Sequence, residues 1–226
     1  MNWLTSFLTS SAGRKVIMSL TGLFLCSFLI AHMAGNFALF ADDGGQSFNE
    51  YAKFMTTFPL IKVLSIGTSI VIILHVVQGI LLTLKNRSSR PDKYVSKASG
   101  KGSSWASRNM AILGIIILVF LIVHLKSFWF QMKFGYMPTA NYGAGEIKDL
   151  YTIVVTAFKN PLYVGFYLIS LAALAFHLIH GFQSAFQSLG IRHTKYTPII
   201  KFVGYAFAIG VPLGFASQPL FILMFK

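Results

Sequence analysis

The sequence predicts an all-α integral membrane protein of five transmembrane helices with a cytoplasmic N-terminus. Three observations carry that expectation. The first is composition: of 226 residues 55% are hydrophobic and 11% charged, with a mean hydropathy of +0.66. A soluble domain of this size carries about 25% charged residues. A chain this apolar cannot cover a globular surface with polar groups, which excludes an ordinary soluble enzyme and intrinsic disorder alike. The second is a set of five stretches, about 15–40, 60–84, 109–132, 161–189 and 198–225, each supplying the ~20 mostly apolar residues that a membrane-crossing helix needs. Together they leave only short connections, so 1–226 reads as a single transmembrane domain. The third is where the charges fall.

The first segment follows Arg14 and Lys15. Its apolar run is longer than the ~7–15 residues of a signal-peptide core, and it contains His32 and Asn36, so it reads as a retained helix. The connection between segments 2 and 3 carries Lys85, Arg87, Arg90, Lys93, Lys97, Lys101 and Arg108 against one acid, Asp92. The connection between segments 4 and 5 carries Arg192 and Lys195, with Lys201 just inside segment 5. Five of the six acids, Asp42, Asp43, Glu50, Glu146 and Asp149, fall in the other two connections. By the positive-inside rule the basic connections are cytoplasmic. The net charge of +13 is then a signal of topology, and no nucleic-acid partner is expected. The Ser/Gly-rich connection 2–3 reads as a basic loop, for anchoring to anionic membrane lipids or for docking a cytoplasmic partner. Segment 5 holds Pro212 and Pro219 and no histidine, so it is expected to be kinked and mainly structural. The single cysteine, Cys26, excludes a disulfide framework, a C-x-x-C-H haem attachment and any Cys-held iron–sulfur cluster.

Four of the six histidines lie inside four different segments: His32, His75, His124 and His177. Ionisable residues within a membrane are costly and mark functional sites. Their spacing repeats. Gly22 and Gly114 each precede a histidine by ten residues, and Pro59-Leu60 and Pro161-Leu162 each precede one with fourteen residues between. Gly79 and Gly181 each follow by four. Segments 1–2 and 3–4 therefore read as two copies of one unit.

Depth follows from the rise of about 1.5 Å per residue. His32 and His124 come roughly 22–26 Å from the cytoplasmic start of their helices, in the outer half. His75 and His177 come roughly 24 Å from the outer start of theirs, in the inner half. The expectation is an outer pair, His32 with His124, and an inner pair, His75 with His177. Paired imidazoles without thiolate or carboxylate suit porphyrin iron, so segments 1–4 would form a bundle binding two b-type haems. Gly79 and Gly181, one turn from their histidines, would clear space for a porphyrin face, or serve as ordinary small-residue helix contacts. His180 is placed as a hydrogen-bond donor to a haem propionate or to a neighbour, and Lys126 as a propionate partner or a snorkelling side chain. His193, between Arg192 and Lys195, reads as solvated surface. A zinc site is disfavoured because no carboxylate lies at the histidines' depth. A transporter or proton channel using the histidines as a relay is the alternative, and it predicts a colourless protein.

The run Ser19-Leu20-Thr21-Gly22-Leu23-Phe24-Leu25, continuing to Ile30-Ala31-His32-Met33, resembles helix 1 of a known family. So do His75-Val76-Val77-Gln78-Gly79 and Phe176-His177-Leu178-Ile179-His180-Gly181-Phe182. They are similar to the five-helix, two-haem cytochrome b subunits, of the b558 type, of succinate:quinone oxidoreductases and quinol:fumarate reductases. The resemblance implies axial haem ligands at His32, His75, His124 and His177. It implies an iron–sulfur subunit and an FAD-carrying flavoprotein as partners on the cytoplasmic face of a bacterial inner membrane. The chain would pass electrons between the iron–sulfur subunit and a membrane quinone, menaquinone by the family's habit, as the subunit without the dicarboxylate site. Glu50 is the candidate for quinone protonation, with Asn36 and Trp129 as weaker ones.

Overall fold

The computed structural model describes residues 2–88, 104–143 and 145–226. In chain order the elements are α1 (Trp3–Thr9), α2 (Ser11–Asn36), a 3₁₀ turn (Phe37–Phe40), α3 (Gln46–Thr57), α4 (Pro59–Ser88), α5 (Trp105–Arg108) and α6 (Met110–His124). A π-helical turn (Leu125–Phe130), α7 (Gln131–Phe134), a hairpin of β1 (Thr139–Asn141) and β2 (Glu146–Lys148), α8 (Leu150–Phe158), α9 (Pro161–Ser188) and α10 (Thr197–Phe225) follow. Among the described residues five helical spans are long and apolar enough to cross a membrane: Ser11–Phe40, Pro59–Ser88, Met110–Phe134, Pro161–Ser188 and Thr197–Phe225. The chain is a multi-pass, mostly helical membrane protein with five spans, and the short β1–β2 hairpin is an addition to the all-α expectation. Most of the basic connection 2–3 lies outside the described residues.

Local chemistry sets the boundaries. The Ser10 hydroxyl accepts from the Gly13 N–H and starts α2, satisfying one of the donors that a helix start leaves bare. Asn160 Oδ1 accepts from the N–H groups of Leu162 and Tyr163. Pro161 at the first position of α9 costs nothing there, because its missing N–H would have had no partner. Gly190, with φ of +77°, turns the chain after α9.

Four spans form the bundle. Close backbone contacts run α2–α4, α4–α6, α6–α9 and α9–α2, so α2 faces α6, and α4 faces α9, across the axis. The fifth span, α10, packs along α9 and touches α2. It runs unbroken through Pro212 and Pro219. The end that carries α1, α5 and the α9–α10 connection is called here the near end, and the opposite one the far end. The main apolar core lies at the far end, where Leu39, Phe48, Phe128, Val154, Phe158, Val164, Tyr167 and Ile222 cluster. Among the described residues the near end holds a small cluster of Ala106, Leu113 and Ala173.

Two far-end helices were not foreseen. The connections of the two units each contain a short helix lying beyond the spans, α3 in the first and α8 in the second, and these pack on each other. Asn49 of α3 is wholly buried and ties them. Its Nδ2 donates to Asp149 Oδ1 (2.8 Å) and Tyr142 Oη (3.0 Å), and its Oδ1 accepts from the Tyr151 N–H (2.9 Å). These helices fall below membrane-crossing length, so a search for apolar runs passes over them.

Candidate metal centre

The bundle diagonals bring the histidines together in two pairs. The rings of His32 (α2) and His124 (α6) have centroids 5.8 Å apart, and those of His75 (α4) and His177 (α9) are 6.3 Å apart. Both pairs therefore bridge helices that do not touch closely, across the axis. The near pair sits level with Thr21 and Gly22 of α2, since His75 Nδ1 is 3.1 Å from Thr21 Oγ1. His32 is about ten residues further along the same helix, so the two pairs are roughly 15 Å apart along the axis.

The side chains behind the rings fix their orientation. The Thr21 hydroxyl gives its proton to backbone carbonyls, that of Ile17 at 2.8 Å and that of Met18 at 3.1 Å. Its oxygen is then an acceptor for His75 Nδ1–H, which leaves the Nε2 lone pair of His75 free. This is the tautomer that a metal-ligating imidazole needs. His124 Nδ1 lies 3.1 Å from Tyr167 Oη, and Tyr167 in turn lies 3.2 Å from Tyr163 Oη. Asn36 Nδ2 donates to the His32 carbonyl (3.0 Å) and lies 3.4 Å from its Nε2. Phe28 stacks on His32 (5.3 Å) and Phe120 lies against His124 (5.6 Å).

These residues fit a porphyrin iron. Metal–nitrogen bonds of about 2.0 Å on both sides put two coaxial imidazole centroids roughly 6 Å apart, and both pairs meet that spacing. Among the described residues no group of three or more His, Cys, Asp or Glu converges, so each pair could offer a metal two ligands only, and a macrocycle would have to supply the rest. Two buried polar atoms without a partner, among the described residues, belong to one pair or lie a turn from it: His177 Nδ1 itself and Gln78 Oε1, three residues after His75. Buried polar atoms are rarely left so, and a polar group set between these helices would relieve them.

The other predicted site residues fall outside the pairs. His180 Nε2 bonds the Ser184 hydroxyl (3.1 Å). Lys126 is exposed on the π turn. Glu50 is exposed on α3 and accepts from Gln46 Nε2 (2.8 Å). Trp129 is exposed and packs on Phe134. His193 is exposed, and its Nδ1 accepts from the Lys195 N–H. A side chain at Gly79 or Gly181 would first meet a methionine methyl, Met18 at 3.5 Å or Met110 at 3.7 Å, as in an ordinary small-residue helix contact. Phe215 of α10 lies 5.6 Å from the His32 ring.

Sequence reasoning missed two further matched pairs. Phe28 and Phe120, and likewise Met18 and Met110, stand at the offset that separates His32 from His124. A search for every residue type recurring at that offset would have found them.

No family model and no solved structure matches the chain. It is similar to the succinate dehydrogenase cytochrome b558 subunit of Bacillus subtilis, with 26% identity over 199 residues, covering 84% of this chain and 88% of that protein. The chain thus carries a distant likeness to one cytochrome b558 subunit of succinate dehydrogenase.

Proposed function

We propose that this chain is the di-haem cytochrome b membrane subunit of a succinate:quinone oxidoreductase, carrying electrons between an iron–sulfur subunit and a membrane quinone. The observation behind it is the pair of diagonal histidine couples, each at the spacing of two axial ligands, in a chain similar to a b558 subunit. His75 and His177 would hold one haem b near the cytoplasm, and His32 and His124 the other near the outer face. When bound, each haem supplies a one-electron carrier at a fixed depth in the membrane. The chain's own task is to fix those depths. Thr21 and Tyr167 orient the rings from behind, and the aromatic rings of Phe28, Phe120 and Phe215 keep water from the far pair.

The orientation rests on charge. The near end, with its arginines and lysines, would face the cytoplasm and dock the iron–sulfur subunit, which carries the flavoprotein. The quinone, menaquinone in this reading, would react at the far end, where Glu50 on α3 has access to water and would exchange its protons. A reduced-minus-oxidised spectrum with a haemochrome count tests the whole reading. Two b haems per chain support it. A colourless protein would turn the histidines into a relay and the chain into a transporter.

A further inference from the structure

One buried donor is left unexplained by the histidine pairs. On α10 the residues Gly204, Ala208, Val211, Gln218 and Ile222 are buried along one seam against the bundle, and Phe215, on the same seam, touches the His32 ring. Gln218 is one turn beyond Phe215 toward the far end. It is 4% exposed, and its Nε2 has no hydrogen-bond partner. The neighbouring Pro219 has no N–H to give the Phe215 carbonyl, yet Gln218 does not take that freed acceptor. The helix turns on either side of it meet apolar groups: Met33 and Phe37 lie against Gly214 one turn earlier, and Ile222 belongs to the far-end core one turn later. An amide N–H held in such a place is costly unless an acceptor meets it.

We propose that Gln218 is a ligand-binding residue whose Nε2 donates to an acceptor oxygen of the redox group beside His32. This rests on the di-haem reading. Two groups there offer such an oxygen, a carboxylate of the far haem and a carbonyl of the quinone. Either accepts one N–H bond without a change of charge, which suits an amide better than a cation in an apolar seam. The fifth span, which brings no metal ligand, then completes the far site and has no counterpart at the near one.

The test uses the purified holo-complex with Gln218→Met, which keeps the size and removes the donor, and Gln218→Glu, which keeps the shape and reverses the polarity. Haem content, the midpoint potentials of both haems, the melting temperature and the affinity for 2-methyl-1,4-naphthoquinone are measured in each. A donor to the haem carboxylate is shown by a lower far-haem potential in Gln218→Met and a lower one still in Gln218→Glu, with the naphthoquinone affinity unchanged. The carboxylate's charge would then act on the iron unopposed. A donor to the quinone is shown by roughly tenfold weaker naphthoquinone binding with both potentials unchanged, a loss equivalent to about 1.4 kcal/mol. Two retained haems with unmoved potentials and affinity overturn the proposal, as does a Gln218→Met complex that melts higher than the wild type, the mark of an orphan donor removed. Equal shifts of both haems also overturn it, since they report general loosening. A wild-type protein without haem brings down the di-haem reading and this inference together, whereas two haems with silent Gln218 variants bring down this inference alone.

Discussion

The two histidine-bearing units share a plan and differ in how they are packed. Each has a short helix at the near end, a first span, a short far-end helix and a second span. The contacts Met18 to Gly79 and Met110 to Gly181 are counterparts. Yet the second span of the first unit, α4, has no buried residue, whereas α9 buries seven, Val164, Tyr167, Ser170, Leu171, Ala173, Leu178 and Ala185. The cause is α10, which covers α9 and leaves α4 open. The first spans also end differently. After Asn36 the backbone tightens into a 3₁₀ turn, while directly after His124 it widens into a π turn. Such widened turns cluster at functional sites, and this one sets Phe128 against the His124 ring at 5.4 Å. The symmetry therefore belongs to the histidines and to the matched Phe28/Phe120 and Met18/Met110 contacts, and the asymmetry to the other groups around them.

The largest expected effect tests the shared plan. Replacing His32 or His124 with Ala is expected to remove the far haem, and replacing His75 or His177 the near one. Each variant would keep the other haem in difference spectra. If His32→Ala and His75→Ala abolished the same spectral component, the diagonal pairing would be wrong. The uncovered α4 sharpens the comparison. His75→Ala, on a span with no buried residue, would leave the remaining fold less disturbed on heating than His177→Ala, on the most enclosed one.

Next in size is the tie between the units. Asn49 is fully buried and makes three bonds to the second unit. Asn49→Leu would strand the Tyr151 N–H, at about 1–3 kcal/mol, and remove the bonds to Asp149 and Tyr142, at about 0.5–1.5 kcal/mol each, with Asp149 Oδ1 keeping the Thr152 N–H. We expect a loss of about 2–4 kcal/mol in thermal stability, with haem content retained at low temperature. Loss of the far haem at low temperature as well would show that the tie also positions His124.

How much of this was legible depends on the period of the signal. The spans and the depth register of the histidines follow from apolar runs and counted spacings, which one sequence displays directly. What joins the units does not. The Asn49 ties reach Asp149 and Tyr142 across about half the chain, and an asparagine in a connection gives no sign of burial. The π turn at Leu125–Phe130 contains no glycine or proline that would mark a change of backbone in the sequence. Phe215 was hidden for another reason: a span with two prolines and no histidine reads as scaffold until its partner helices are known.

The capping aspartates give a smaller contrast. Asp43 sits before α3, where its oxygens accept from the N–H groups of Gly45 and Ser47 (3.0 and 2.8 Å). Asp149 caps α8 through the Thr152 N–H (3.0 Å) and hydroxyl (2.6 Å), and also holds Asn49. Bonds from Ser47, its hydroxyl first, keep the Asp43 carboxyl below the ordinary range. At Asp149 partial burial pushes upward, but the bonds from Thr152 and Asn49 outweigh it and the net shift is downward. A carboxyl depressed in the folded state lends stability that is full above its unfolded value, about 3.9, and is lost as pH falls through the folded one. The far end is therefore expected to hold unchanged from pH 8 to 5 and to loosen below about pH 4. Asp43→Ala should cost about 1 kcal/mol, the worth of a helix cap, and Asp149→Ala about 2, because Asn49 loses a partner as well. Equal losses in the two variants would mean that the Asp149–Asn49 bond contributes little.

The smallest effect separates the two units most finely. Gly22 and Gly114 hold equivalent places, ten residues before His32 and His124, and each stands in a helix interior where alanine is preferred by roughly 0.8–1 kcal/mol. Their surroundings differ. A Cβ at Gly22 would lie 3.4 Å from Cε1 of His75, whereas one at Gly114 would meet nothing within 4 Å. Gly114→Ala is therefore expected to raise thermal stability by up to about 1 kcal/mol with both haem spectra unaltered. Gly22→Ala brings the same helical gain but sets a methyl at the close edge of contact with a ring that Thr21 holds from behind, so that ring has little freedom to give way. We expect near-zero net stability change and a small shift in the near haem's potential alone. A shift of similar size in both variants would mean that Gly114 faces His177 as Gly22 faces His75, and the two halves would then be more alike around their histidines than their packing in the bundle suggests.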